Sequence, residues 1–174
     1  AATVEQLAWN KNELFQPKLH TLTIEQLHDE IIGIGSHVAL IEIEIRSLAG
    51  EINGKMQICF SKETALRIAN ELLSIPPEAA SKEFTDIIIS TLKETASIFG
   101  DQHISAISEH IRIPILSGVP ELKTGDSQQI AASVTKSVAG KVEYALSTSI
   151  AFKENKTGLL ILLLEPKSLD TIIQ

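Results

Sequence analysis

The sequence predicts an α/β (α+β) protein whose core is a mainly antiparallel sheet with pseudo-repeated halves. Three observations point there. Residues 38–60 read as strand, turn and strand leading into a helix, and residues 142–164 read the same way. Between these stretches, apolar residues over 82–110 recur at helical rather than alternating spacing. Hydrophobic residues make up 44% of the chain and aromatics only 4%, so strands and helices must pack through Ile, Leu, Val and Ala.

Taken in order, residues 1–36 carry the weakest periodicity. A helical stretch is expected over 4–15, closed by Pro17. Thr23 with Gln26 three residues later forms a capping-box pattern for a short helix through His28. This segment is assigned as an N-terminal helical extension on a domain spanning 37–174, with Gly33 and Gly35 turning into the first strand. Val38, Leu40, Ile43 and Ile45 then alternate imperfectly, Glu42 falling among them, as in a half-buried strand. Gly50, Asn53 and Gly54 mark a turn, and 55–60 reads as the returning strand.

Ser61 caps a helix carrying Ala65, Leu66, Ala69, Leu72 and Leu73 on one face, and Pro76-Pro77 ends it. The long helix over 82–110 follows, with a bend expected at Gly100. Short extended pieces come next, at 113–116 and 118–122. Asp126 or Ser127 opens a further helix with Ile130, Val134 and Val138 at helical spacing. Strands at 142–152 and 159–164 flank a turn at 154–158, and Pro166 starts a last helix. Gly54 and Gly158 each precede six strand residues and a helix, a faint internal repeat.

Composition removes several function classes. A net charge of −7 disfavours phosphate backbones and anionic membrane surfaces, and the scarcity of rings disfavours base stacking, so no nucleic-acid partner is expected. The longest apolar run, 158–164, falls far short of a membrane span, so no membrane insertion is expected. A single cysteine, Cys59, allows no intrachain disulfide and reads as a buried, inert thiol. With no recognisable signal peptide, a cytoplasmic location is the expectation. His103 and His110 stand seven apart on the long helix, but metal pairs favour a spacing of four, and they read as ordinary surface histidines. No nucleophile elbow or phosphate-binding glycine loop is found.

The long helix carries the most specific pattern. On a wheel of about 100° per residue, Ser90, Ser97, Asp101, Ser105 and Ser108 fall within about 60° of Glu94, while Ile88, Ile89, Leu92, Ala96, Phe99, Ala106 and Ile107 lie opposite. Serine is a mediocre helix former, and a merely solvated face favours Lys, Glu and Gln. Small side chains beside a carboxylate leave room for another molecule to approach.

The spacing resembles the signature of the CheC/CheX/FliY chemotaxis phosphatases: Asp or Ser, three residues, Glu, two residues, Asn, and, after 22 intervening residues, a proline. This chain has Ser90, Glu94, Ser97 and Pro120 at those positions. The turn around Gly50–Gly54, the strand after it and the helix from Ser61 resemble the elements that precede the site in CheX. The resemblance covers 38–173. It implies a CheC/CheX-like sheet with two long helices packed on one face and pairing into homodimers. The partner it implies is a CheY-like response-regulator receiver, whose aspartyl phosphate is hydrolysed with the receiver's own Mg²⁺. No cofactor of this chain's own is implied.

In that scheme Glu94 pairs with the receiver's lysine, and the residue at position 97 orients water for in-line attack. Ser90, Asp101, Gln102 and Pro120 fall into the partner-binding surface. Ser97 stands where the family has asparagine and cannot present a carboxamide, so the expected phosphatase activity is weakened. Gln102 has an amide but lies about 80° from Glu94 and two turns on, too far round to replace it. The alternative is a non-catalytic interaction or dimerisation module of the CheC/flagellar-switch fold.

Overall fold

The computed structural model describes residues 20–152 and 157–173. Their order is β1 (His20–Thr23), α1 (Ile24–Ile34), β2 (His37–Ser47), β3 (Asn53–Ser61), α2 (Lys62–Leu72), α3 (Asp86–Ile111), β4 (Ile115–Ser117), β5 (Glu121–Asp126), α4 (Ser127–Val138), β6 (Tyr144–Ala151), β7 (Thr157–Leu164) and α5 (Pro166–Ile173). A 3-10 turn at Pro77–Ala79 precedes α3. The strands form one antiparallel sheet in the order β1-β6-β7-β3-β2, and the outer edge of β2 is shared by β4 at one end and β5 at the other.

Alternation along each strand sorts side chains onto two faces. Ala39, Ile41, Ile43 and Ile45 of β2 join Met56, Ile58 and Phe60 of β3 and Leu160, Leu162 and Leu164 of β7 beneath α2 and α3. Phe99 of α3 meets Phe152 there with ring centroids 5.1 Å apart. This is the expected arrangement of two long helices on one face. The other face is covered too: Val38, Leu40, Cys59, Leu159, Ile161 and Leu163 pack against Leu27 and Ile31 of α1 and Ile130 and Val134 of α4. Both faces of β2 are therefore buried, which is why its alternation reads as imperfect. At roughly 1.5–3 kcal/mol for each fully buried large aliphatic, the two layers supply most of the folding drive.

The paired halves extend further than hairpin and helix. Each half is strand, helix, strand, strand, helix: β1-α1-β2-β3-α2, and β5-α4-β6-β7-α5. The central pair β3/β7 relates them, with Gly54 opposite Leu164 and Cys59 opposite Leu159. The first strand of each half lies in the other half's territory, since β1 pairs with β6 and β5 pairs with β2. Gly54 and Gly158 open the two central strands at matching places. A Cβ on Gly54 would lie 2.2 Å from the Leu163 carbonyl oxygen, and one on Gly158 would lie 2.4 Å from the Phe60 ring.

Several elements differ from the sequence expectation in extent. The capping box at Thr23 and Gln26 forms, but the helix it opens continues to Ile34 and takes Gly33 into its last turn. Residues 20–34 thus supply an edge strand and a helix whose Leu27 and Ile31 are fully buried. The expected helix over 4–15 and the turn at 154–156 lie outside the described residues. The long helix starts at Asp86, capped by the Thr85 side chain on the Ile88 amide, and runs without interruption to Ile111. Gly100 does not break it. A Cβ there would sit 2.2 Å from Met56 Cε, so glycine lets the helix lie directly on β3.

Candidate functional site

Helix α3 joins the two halves of the chain and rests on the sheet through Ile88, Leu92, Ala96, Phe99 and Ile104, all buried. That anchoring leaves the Glu94 face outward. Ser90, Glu94, Asp101, Gln102 and Ser105 are exposed, and Ser97 is half-buried. Neither Glu94 nor Ser97 forms a hydrogen bond or ion pair with any described residue, whereas the Thr91 and Thr95 hydroxyls donate back to Ile87 and Thr91 carbonyls at 2.7 Å. A carboxylate and a hydroxyl one turn apart are therefore available to a partner. Ser108 is committed differently, its hydroxyl donating to the Ile113 carbonyl at 2.7 Å where the chain turns back. Ala106 is exposed rather than part of the buried face, and Ile104 takes the buried place.

The segment bearing Pro120 stands beside this ridge. Ser117, at the end of β4, donates its hydroxyl to Asp101 Oδ1 at 2.9 Å, and the next amide, Gly118 N–H, donates to the Glu44 carbonyl at 2.8 Å. Two bonds on adjacent residues fix a knuckle, Gly118–Pro120, between β4 and β5. Pro120 is half-buried, and Val119 projects from its tip. The structure thus brings Ser90, Glu94, Ser97, Asp101 and Gln102 onto one helix and joins Pro120 to them through Ser117. Sequence reasoning passed over Ile87 and Ile98, which lie within about 40° of Glu94 on the wheel and are exposed. The wheel itself was the signal.

The ridge is the outward face of a helix, and two clefts lie elsewhere among the described residues. One, of about 890 Å³, runs between α2 and the 75–82 loop, which Asn70 clamps through bonds to Leu66 and Ser81. The other, of about 750 Å³, lies between α1, the start of α2 and β6/β7. An acidic strip on the outward face of a helix suits a protein surface rather than a small molecule.

A second polar cluster occupies the opposite face of the sheet. Glu42, nearly buried in β2, accepts from Gln57 Nε2 at 2.7 Å and Lys55 Nζ at 3.0 Å, with Lys123 Nζ at 3.6 Å. Burial works to raise its pKa. The bonds from Gln57 and Lys55, with the charges of Lys123 and Lys55, outweigh that and hold the carboxyl below its ordinary range. His103 is half-buried against Phe99, its Nδ1 3.0 Å from the Phe99 carbonyl, and burial depresses its pKa. Cys59 is fully buried, with its thiol pushed up to about 12.

No family model and no curated protein matches the sequence. Solved structures do match in shape. FliY from Thermotoga maritima superposes with a TM-score of 0.65 at 11% identity, over 90% of this chain and 77% of that one. The chain has the CheC/CheX/FliY fold. A FliG–FliM complex from H. pylori matches with a TM-score of 0.57 at 14% identity, over 90% of this chain and 79% of that one. A CheX–CheY–BeF3–Mg complex from Borrelia burgdorferi gives 0.52 at 13% identity, over 82% and 95%. At these identities the likeness carries shape alone. Within the CheC/CheX/FliY fold as this chain builds it, α3 is the element between the halves, and its outward face is the ridge.

Proposed function

We propose that this protein recognises a phosphorylated CheY-like receiver through the α3 ridge, with hydrolysis of the aspartyl phosphate weakened or lost. One observation carries the reading: Glu94 is exposed and unpaired on a helix whose other face is locked into the sheet. A rigid helix can insert such a carboxylate beside the receiver's lysine, while Mg²⁺ stays with the receiver. Aspartyl-phosphate hydrolysis then depends mainly on placing a water in line with phosphorus. Ser97 is on the same face one turn later, but its hydroxyl is shorter than a carboxamide and holds water more loosely. A loss of about 10²-fold is the scale expected for such a displacement.

The second reading, a non-catalytic interaction module, is supported by the same side chain, since Ser97 removes the water-orienting amide. Both readings accommodate a homodimer, which sedimentation would check. To separate them, the protein is mixed with phosphorylated receivers from its own organism and phosphate loss is followed. Faster decay that vanishes in Glu94→Ala marks an enzyme. Binding without acceleration marks an adaptor, and Ser97→Asn should then raise the decay rate. Absence of any binding would sink the receiver reading.

A further inference from the structure

An exposed ion pair contributes little by itself. Screened by water, a Glu94–lysine contact is worth less than about fivefold in affinity. The ridge needs something that excludes water around that carboxylate, and the structure supplies candidates at suitable places. Large exposed hydrophobics are few among the described residues: Ile87, 59% exposed, and Ile98, 37%, flank Glu94 on α3, and Val119, 84%, is on the knuckle tied through Ser117 to Asp101 of the same helix.

Ile87 and Ile98 are on the Glu94 side of α3, about 20° and 40° round from it and about 16 Å apart along the axis, with Glu94 between them. The serines are on the other flank, Ser90 about 40° and Ser97 about 60° the opposite way. The ridge therefore has an aliphatic edge and a hydroxyl edge with the carboxylate between. Val119 is on the knuckle whose base is bonded to Asp101 and Glu44, so it is presented by a fixed backbone rather than a loose loop.

We propose that Ile87, Ile98 and Val119 form an apolar collar that anchors the receiver domain and dries the contact made by Glu94. This rests on the receiver reading above. The occupant it commits to presents a cation to Glu94 and apolar surface to either side of that cation. Fully desolvated contacts near the middle of an interface carry most of the binding, with surrounding residues shielding them from water. Here the isoleucines serve as the shield and as the buried area. The hydroxyl flank at Ser90 and Ser97 stays open for phosphate and water.

The test is titration with a CheY-type receiver of the same organism held in its beryllofluoride form. Ile87→Asp and Ile98→Asp should each weaken binding at least about tenfold, and Val119→Asp several-fold. Ile87→Asp and Val119→Asp should leave the melting temperature unchanged, because these side chains are mostly in water, whereas Ile98→Asp, at a side chain only 37% exposed, should lower it by a few degrees with the circular dichroism spectrum unchanged at the titration temperature. Tyr144→Ser, on β6 across the sheet, should bind as the parent does. If the aspartate variants bind normally while Glu94→Ala does not, the collar is overturned and the receiver reading stands. If the parent binds no receiver, the reading itself fails and the collar with it. A loss in Tyr144→Ser equal to that in Ile98→Asp would also overturn the collar by placing the contact elsewhere. In the complex, hydrogen exchange should slow over 87–98 and 117–120.

Discussion

Glu42 shows how much one misfit side chain can hold. It interrupts the apolar run of β2, yet three donors converge on it. Glu42→Ala should cost about 1–3 kcal/mol, read from chemical denaturation, because Gln57 and Lys55 lose their acceptor in a nearly closed site, while the partial solvation of Lys55 and Lys123 limits the loss. The pH dependence has a definite sign. A carboxyl whose folded pKa lies below the ordinary 4.5 stabilises fully above that value and loses its contribution as pH falls through the folded pKa. Acid titration of stability below pH ~4.5 should therefore be shallower in Glu42→Gln than in the parent.

Gly100 makes the same point by absence. Alanine in a helix interior normally gains up to about 1 kcal/mol over glycine. Here the added methyl meets Met56 Cε in a close-packed layer, with Ile43 Cδ1 only 3.3 Å away. Gly100→Ala should instead cost about 1–2 kcal/mol. In a Met56→Ala background the sign should reverse, a coupling that a double-mutant cycle would expose.

At the scale of elements, what was legible in the sequence followed local chemistry. The capping pattern at Thr23 and Gln26, the Ser61 cap, Pro76-Pro77 and the turn near Gly50 all act within a few residues, and each shows in the structure. Thr23→Ala should accordingly cost about 1 kcal/mol, seen as a lower melting temperature. What was not legible depended on distant partners. Gly33 argued for ending α1 early, but the burial of Ile31 against the second face carries the helix through it. At Gly100 the sequence could not show the close contact with Met56, which is far away in the chain. The candidate ridge was legible because a helix wheel is local geometry. The knuckle at Val119 was not, because its position depends on bonds to Asp101 and Glu44 from other elements.

For the whole molecule, the exchange of first strands between halves makes each half depend on the other. A chain beginning at residue 37 would lack β1 and α1, removing Leu27 and Ile31 from the second face and uncovering the β6 edge. Such a truncation should fail to give a cooperative thermal transition by circular dichroism. Gly54→Ala or Gly158→Ala should also be severe, roughly 3 kcal/mol or more, because the added methyl would meet backbone or a packed ring at the central strand pair rather than a movable side-chain tip.

The strand exchange also sets a schedule for folding. β1 finds its partner only when β6 exists, and the second edge of β3, whose first edge pairs locally with β2, is filled only when β7 does, so each closes a loop of about a hundred residues or more. Such closures are slow relative to local helix formation. On the ribosome the chain emerges at about 5–20 residues per second, so the β2/β3 hairpin spends several seconds with the outer edge of β3 unpaired until β7 emerges. The symmetry that completes the sheet so economically leaves that strand edge open to wrong partners until β7 has emerged.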